Sequence, residues 1–475
     1  MEFSYNINNE KPSESCGVVG IYSSDQDISR LIYLGIYSLQ HRGQESAGIA
    51  CSDGEKISLH KNLGLVNQVF KEENLNKLKG NIAIGHTRYS TMGSNKTYNS
   101  QPIHAKGPDG SIYLGHNGNV INAIELKNHL REWGIENYDS TSDSELIAQL
   151  YALSPGSTWE QKSEYCMSKL KGAYSLVMLS KDSLIGVRDP LGIRPLCLGE
   201  IEDGFVIASE TCALDHIGAK FIRDIEPGET IVINKKGISS SVFSGAREVH
   251  SMCIFEQIYF SRPDSIIEGK LTYSSRMSMG AELARQHPVN ADMVIGIPDS
   301  ATASAVGYAN ESNIPFGEGL VKNRYVGRTF IEPNQKIRDL GVKTKFNPLK
   351  HLISGKDIVV VDDSIVRGTT TPRVIKILRQ AGVKKIHMRV CAPPIISPCH
   401  FGVDMGKHAE LIAAKKSIEE IRKYIGADSL GYLNLEGLLK AVGVKDSSYC
   451  RACFTGEYPI PVQLEMDKMQ LEEIP

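Results

Sequence analysis

Cys16 and Gly17 stand where the texture of the chain changes. Residues 1–15 are polar and show no apolar period, whereas CGVVGIYSS is an apolar, β-prone run. A cut after Ser15 would give Cys16 a free α-amine beside its own thiol. Such an amine has a reference pKa of about 8, so it can serve as the base that activates the side chain it adjoins. A small buried position at the start of a strand suits a free cysteine equally well. The companions come in short motifs. Arg42 lies in QHRGQESAGIA (40–50) and Arg88 in GHTRYST (85–91), just after an expected strand. GHNGNV (115–120) places Asn117 beside Gly118. A side-chain amide and a neighbouring backbone N–H suit an oxyanion, although Asn-Gly is also a turn signature. Asp143, in TSDSE, heads an expected helix, where it could act as an N-cap. A guanidinium and a carboxylate together could instead clamp the two charged ends of an amino acid.

A second set lies in VVVDDSIVRGTT (359–370). Asp362 and Asp363 end an apolar strand, and Ser364, Gly368, Thr369 and Thr370 lead into a helix. Loop N–H groups, hydroxyls and a helix N-terminus form a phosphate cradle. Paired acids beside it suit the two ribose hydroxyls of a sugar phosphate, with Mg²⁺ nearby. The chain has no Walker loop and no G-x-G-x-x-G fingerprint, which argues against a P-loop ATPase and a Rossmann dehydrogenase. Cys450 and Cys453 form a C-x-x-C, readable as a redox pair, half a zinc site or half an iron–sulfur site. Cys253 and Cys399 are candidates to complete it.

The elements that must carry these groups follow two rhythms. KISLHK, NIAIGHTRYS, SIYLGHNG, AYSLVMLS, SLIGVRD and FVIASE read as closely spaced strands, with ISRLIYLGIYSLQHRG as a helix stopping at Gly43 and SDSELIAQLYAL as another. That pattern predicts antiparallel sheets covered by helices. In the second half ADMVIGIPDS, DIVVVDDSIVRGTT, TPRVIKILRQAG and KKIHMRVCAPP alternate strand, strand, helix, strand, which predicts a parallel sheet. The boundary falls near 240–250, giving a leader over 1–15, a first domain over 16–245 and a second over 246–475. The length of 475 residues, 41% hydrophobic and 23% charged, suits a globular protein of two to three domains at about 150 residues each. With 53 Lys and Arg against 55 Asp and Glu, there is no broad electrostatic footprint for nucleic acid. No apolar run is long enough to span a membrane, the N-terminus lacks the pattern of a secretory signal, and ten cysteines are too few for a disulfide scaffold. The expectation is a cytoplasmic protein.

The motifs ESCGVVGI, LQHRGQESAGI, GHTRYST, HNGN and TSDSE, in this order, resemble the glutaminase domain of the glutamine phosphoribosylpyrophosphate amidotransferases, which are N-terminal-nucleophile hydrolases. With RDPLGIRPL and ASET the resemblance covers nearly all of 16–245. It implies a four-layer αββα sandwich with Cys16 as the nucleophile that takes glutamine as a thioester. Arg88 would bind the substrate carboxylate and Asp143 its amine; Asn117 and Gly118 would form the oxyanion hole, and Arg42 would help organise the nucleophile's surroundings. VVVDDSIVRGTT resembles the phosphoribosyl pyrophosphate motif of type I phosphoribosyltransferases, a doubly wound parallel sheet, and GIPDSATASAVGYA (296–309) resembles the pyrophosphate-contacting loop of the amidotransferase branch. Ser300, Asp362 and Asp363 would then lie by Mg²⁺. Residues 322–345, rich in Lys and Arg, would form a lid over the pyrophosphate. One branch of the family pairs a cleaved leader with a [4Fe–4S] cluster. This chain has a leader and cysteines at all four cluster positions, implying Cys253, Cys399, Cys450 and Cys453 as ligands, with zinc as the alternative. Some relatives carry a further Cys where this chain has Ser447.

The expected reaction takes glutamine, phosphoribosyl pyrophosphate and water to 5-phosphoribosylamine, glutamate and pyrophosphate, the entry step of purine synthesis. Purine nucleotides as feedback inhibitors and a homotetramer are implied with it. A hexosamine-forming amidotransferase would share the first half but not VVVDDSIVRGTT. A non-catalytic ligand-sensing protein would keep the second half without needing Cys16, Arg88 or Asp143.

Overall fold

The apolar run after Cys16 becomes a central strand. In the computed structural model, which describes residues 16–23, 28–89, 94–246, 250–323, 346–443 and 448–462, the first unit contains β1 (Gly17–Ser23), β2 (Ser46–Ser52), β3 (Ile57–Leu63), β4 (Ile82–Arg88), β5 (Ile103–Gly107), β6 (Gly110–Val120), β7 (Gly172–Leu179), β8 (Ser183–Arg188), β9 (Cys197–Ile201), β10 (Gly204–Ala208), β11 (Lys220–Asp224), β12 (Glu229–Asn234) and β13 (Gly237–Val242). One sheet runs β11-β9-β10-β1-β4-β2-β3 and the other β13-β12-β8-β7-β6-β5. Their pairings are antiparallel, so one face of each sheet can take apolar side chains while the other meets a second layer. Val18, Ile84, Val177, Leu184, Ile207 and Ile231 fill the space between the sheets. The helix Ile28–Ser38 buries Ile28, Ile32 and Ile36 against the outside of the first sheet. The helices Ala123–Glu132, Asp143–Leu153 and Trp159–Lys169 cover the outside of the second. The result is the expected four-layer order.

The first helix ends earlier than its pattern suggests. Its last residue is Ser38, and the chain then tightens through Leu39 N–H to Ile36 O and Arg42 N–H to Leu39 O. Gly43 is not its cap. A Cβ there would stand 2.5 Å from the Thr87 carbonyl carbon and 2.6 Å from the Arg88 nitrogen, so the glycine serves a close approach to the end of β4.

The second unit begins with β14 (Met252–Cys253), the hairpin β15 (Ile266–Ile267) and β16 (Lys270–Leu271), and β17 (Met293–Gly296). It continues with the pair β18 (Leu320–Lys322) and β19 (Phe346–Pro348), then β20 (Asp357–Asp362), β21 (Lys385–Val390), β22 (Ser429–Tyr432) and β23 (Tyr449–Cys450). β17-β20-β21-β22 form a parallel sheet. In β20, Val359 and Val361 join the core shared with the helices Thr272–Gln286 and Thr302–Ser312, whereas Ile358 and Val360 join the core under the helix Thr370–Gln380. Burial on both faces is why this strand reads as an unbroken apolar run. Val294 of β17 also bridges to Phe316. The chain therefore leaves β17 toward one side and returns as β20 on the other, a topological switch point where open α/β sheets bind ligands. No helix among the described residues is long and apolar enough to cross a membrane.

Candidate active sites

Cys16 immediately precedes β1 and is buried, its thiol donating to the Tyr89 carbonyl at 3.5 Å. Burial pushes the thiol up to about 11, opposed by the Tyr89 contact and the positive charge of Arg88. The register explains this company. β1 pairs with β4, setting Gly17 opposite Thr87, and β2 sets Ser46 opposite Arg88. Arg88 is thus the last residue of β4 rather than a residue beyond it, and it lies buried within electrostatic reach of Cys16, Glu45 and Asp143.

Asn117 and Gly118 are not in a turn. They stand within β6, toward its C-terminal end, opposite Ser175 and Tyr174 of β7. Gly118 has φ +152°, and a Cβ there would fall 1.9 Å from the Ala173 carbonyl oxygen, so no other residue fits. Asn117 is fully buried, and among the described residues neither end of its amide has a hydrogen-bond partner. An unsatisfied buried polar group costs about 1–3 kcal/mol, so an amide kept this way marks a place for a ligand. Asp143 opens the helix Asp143–Leu153, but the cap is Ser142, whose Oγ accepts from Ser144 N–H. The Asp143 carboxylate is released for another task. Its Oδ2 accepts the Val120 N–H at 2.9 Å and lies 3.9 Å from His116 Nδ1, which fixes it beside the strand that carries Asn117. Cys16, Arg88 and Asp143 are therefore brought together, with Asn117 and Gly118 on the strand to which Asp143 is bonded.

The second set meets at the switch point. Asp362 ends β20, and both it and Asp363 are buried. Asp363 N–H donates to Asp362 Oδ1 at 2.9 Å, and Ser364 Oγ–H to Asp363 Oδ1 at 2.7 Å. Gly368, at φ +73°, and Thr369 lead to Thr370, the first residue of the helix Thr370–Gln380. Ser300 lies in the loop that follows the neighbouring strand β17; there Ile297 N–H reaches Val361 O at 2.9 Å. Burial pushes the Arg276 guanidinium of the helix Thr272–Gln286 down to about 10, with the Asp363 carboxylate opposing; its Nε and Nη2 donate to the Gln257 and Ser261 carbonyls. At the edge of the crevice Lys322 Nζ pairs with Asp299 Oδ2 at 2.8 Å. The expected lid beyond Asn323, the leader 1–15 and Ser447 lie outside the described residues.

The comparisons with known proteins agree with this division. A family of glutamine amidotransferase domains matches residues 86–216, and one of phosphoribosyl transferase domains matches 276–394. An amidophosphoribosyltransferase of Methanocaldococcus jannaschii is 49% identical over 468 residues, covering 95% of this chain and 98% of that protein. One from a Synechocystis species is 46% identical over 472 residues, covering 98% and 95%. The chain belongs to the amidophosphoribosyltransferase family. Its function is that of the family, the glutamine-dependent amination of phosphoribosyl pyrophosphate. Among solved structures, the glutamine phosphoribosylpyrophosphate amidotransferase of B. subtilis, complexed with ADP and GMP, matches with a TM-score of 0.88 at 45% identity, covering 95% of this chain and 98% of that one. A structure described as the allosteric regulatory enzyme of purine biosynthesis matches with a TM-score of 0.91 at 44% identity, covering 97% and 99%.

In this amidophosphoribosyltransferase chain the two halves are joined by charges that sequence reading did not single out. Arg42, expected to help organise the nucleophile's surroundings, bonds Glu210 and, through Nη2, Glu256 Oε2 at 2.6 Å, with Ser261 Oγ at 3.3 Å. Arg194 Nη1 meets the other Glu256 oxygen at 3.2 Å. All four charged side chains are fully buried. Burial alone would push the Glu210 and Glu256 carboxyls up, but Arg42 holds both below the ordinary range, joined by Arg194 at Glu256.

Four of the five cysteines of the second half also converge. Cys253 of β14 is the register partner of Cys450 of β23. Ile396 N–H and Ser397 N–H donate to Cys453 O, while Cys399 Sγ accepts the Phe401 N–H at 3.3 Å. Cys253, Cys399, Cys450 and Cys453 lie within electrostatic reach of one another, and burial pushes the Cys253 thiol up to about 12 against the pull of Arg194. Among the described residues, however, no three His, Cys, Asp or Glu side chains are spaced to hold a single metal ion.

Proposed function

We propose that Cys16, freed of residues 1–15, opens the reaction at the glutamine side chain. Before the cut its nitrogen is an amide and has no basicity, and a thiol with a pKa of about 11 stays protonated at neutral pH. The cut supplies an α-amine that takes the thiol proton. The sulfur attacks the side-chain amide carbon, and the oxygen that gains charge is held by Asn117 Nδ2 and the Gly118 N–H. Collapse expels ammonia, protonated through the α-amine, and leaves a thioester; water then releases glutamate and restores the thiol. Arg88 pairs with the substrate carboxylate and Asp143 with its amine. At the switch point Ser364, Gly368, Thr369 and Thr370 hold the 5-phosphate, and Asp362 and Asp363 face the ribose hydroxyls. The ammonia lone pair attacks C1 as the C1–O bond to pyrophosphate breaks.

Ser300, Asp362 and Asp363 would hold Mg²⁺, whose charge neutralises the leaving pyrophosphate. Cys253, Cys399, Cys450 and Cys453 would hold a [4Fe–4S] cluster. Four converging sulfurs suit an iron–sulfur group, with zinc in the same thiolates as the alternative. The cluster's part is structural or oxygen-sensing, because the reaction moves no electrons. Purine nucleotides as inhibitors, a homotetramer, a leader over 1–15 with domains 16–245 and 246–475, and a cytoplasmic setting complete the proposal.

The single observation that carries this mechanism is the buried, unpartnered Asn117 amide on the strand bonded to Asp143. The test is glutamate release from glutamine by anaerobically purified protein with Mg²⁺, with and without phosphoribosyl pyrophosphate. Strong stimulation by the second substrate is expected. No release in either condition, from protein whose mass shows Cys16 at its N-terminus, overturns the mechanism.

A further inference from the structure

The oxyanion strand does not rest on its own domain alone. Asn119, one residue past the Gly118 N–H, donates from Nδ2 to the His400 carbonyl at 2.9 Å, across the boundary between the two halves. Next to that bond Gly402, at φ +95°, presses on Gly118 itself. A Cβ on Gly402 would stand 2.9 Å from the Gly118 carbonyl carbon, 3.0 Å from its oxygen and 3.2 Å from its Cα. Backbone meets backbone here, so nothing at the contact can rotate away. The loop that makes the contact is itself held. Phe401 O accepts from Arg194 Nε at 3.1 Å and from Nη2 at 2.7 Å. Arg194 belongs to the first half, and its own carbonyl accepts the Ser175 Oγ–H at 3.1 Å. Ser175 is the register partner of Asn117. The oxyanion strand β6, at Gly118 and Asn119, and its neighbour β7, at Ser175 through Arg194, are thus tied to residues 400–402 of the second half.

We infer that His400–Gly402 is a positioning element for the glutaminase: its backbone sets the place of the Gly118 N–H and the Asn117 amide, so that the second half governs the rate of glutamine hydrolysis through the oxyanion hole. The inference rests on the assignment of Asn117 and Gly118 as oxyanion donors. A donor displaced by a fraction of an ångström loses part of its hold on the transition state, with little change in ground-state binding by Arg88 and Asp143. The signature is a fall in kcat with KM for glutamine unmoved.

The decisive variant is Gly402→Ala in the full, processed chain, assayed both with glutamine and with ammonium chloride as the nitrogen source. The expected result is a drop of about tenfold or more in kcat with glutamine, KM for glutamine within about twofold, and ammonia-dependent synthesis within about twofold. Asn119→Ala, which removes the bond to His400 without adding bulk, is expected to shift the same ratio in the same direction by a smaller factor, and carries the test if the alanine at 402 prevents folding. Equal loss of both activities, or a change in KM alone, overturns the inference, as does unchanged glutamine activity in both variants. Asn117→Ala separates the two layers. If it leaves glutamine hydrolysis intact, the oxyanion assignment falls and the positioning role with it; if it abolishes hydrolysis while the 402 and 119 variants behave as the unaltered protein, only the positioning role falls.

Discussion

Replacing Glu256 by Gln takes one negative charge from a buried set of two guanidiniums and two carboxylates, leaving it with a net positive charge and no solvent to screen it. The carboxylate meets Arg42 at 2.6 Å and Arg194 at 3.2 Å. Each pair is worth about 4 kcal/mol of attraction at 4 Å and an effective dielectric of about 20. Part of the loss is returned because the carboxylate no longer has to be stripped of water. The balance for breaking one partner of a buried ion set is about 3–5 kcal/mol. For a domain of roughly 200 residues that lowers the melting temperature by about 10 °C. The change is read by circular dichroism melts and by urea titration of the processed protein. Arg194→Met added to the variant restores the charge balance, so the double change costs less than the sum of the singles by about 2 kcal/mol. Acid adds a second reading. Both carboxyls are held below their ordinary value, so the stability they contribute is full above about pH 4.3 and is lost as the pH falls through their lowered values. The variant therefore loses less on acidification than the parent. A cost under about 1 kcal/mol, or additive singles, would refute the claim that these charges bind the halves together.

Three further outcomes are expected. Cys16→Ala abolishes glutamine-dependent synthesis while ammonia-dependent synthesis persists; loss of both from a folded protein, seen in parallel assays, removes the division into two sites. Iodoacetamide should alkylate Cys16 slowly in leader-bearing protein, at a rate that climbs with pH toward about 11, whereas processed protein reacts faster at pH 7–8; peptide mass mapping after timed quenching reads it, and equal rates would count against the activating amine. Asp362→Asn with Asp363→Asn removes synthesis from either nitrogen source and weakens binding of phosphoribosyl pyrophosphate by calorimetry; normal binding would overturn the role of the acid pair.

Much of this arrangement was legible because it is local. The run 359–361 and the acids after it place themselves, since a strand buried on both faces must be apolar throughout and must shed its polar residues at its end. Cys16 next to Arg88 follows once β1 and β4 are neighbours. Local signals also misled. Asn117-Gly118 carries a turn signature but lies within a strand, because Gly118 is needed to pass the Ala173 carbonyl rather than to reverse the chain. Gly43 ends nothing, for a similar reason of close approach. Asp143 looked like a cap, but Ser142 takes that place. The ion set was out of reach of any local reading. Arg42 meets Glu210 and Glu256 from 168 and 214 residues away, and each alone is an ordinary charged residue. Only the packing of one half on the other makes them a unit.

The pairing of β14 with β23 has a consequence for how the protein is made. Met252 and Cys253 enter the second half, while Tyr449 and Cys450 come almost at its end, and the two strands lie side by side. A ribosome must therefore extrude nearly the whole chain before Cys253 can find its neighbour. Until then β14 lacks its partner strand and the second half remains an unclosed ring. A message truncated anywhere before codon 449 yields a protein whose second half lacks the partner strand of β14.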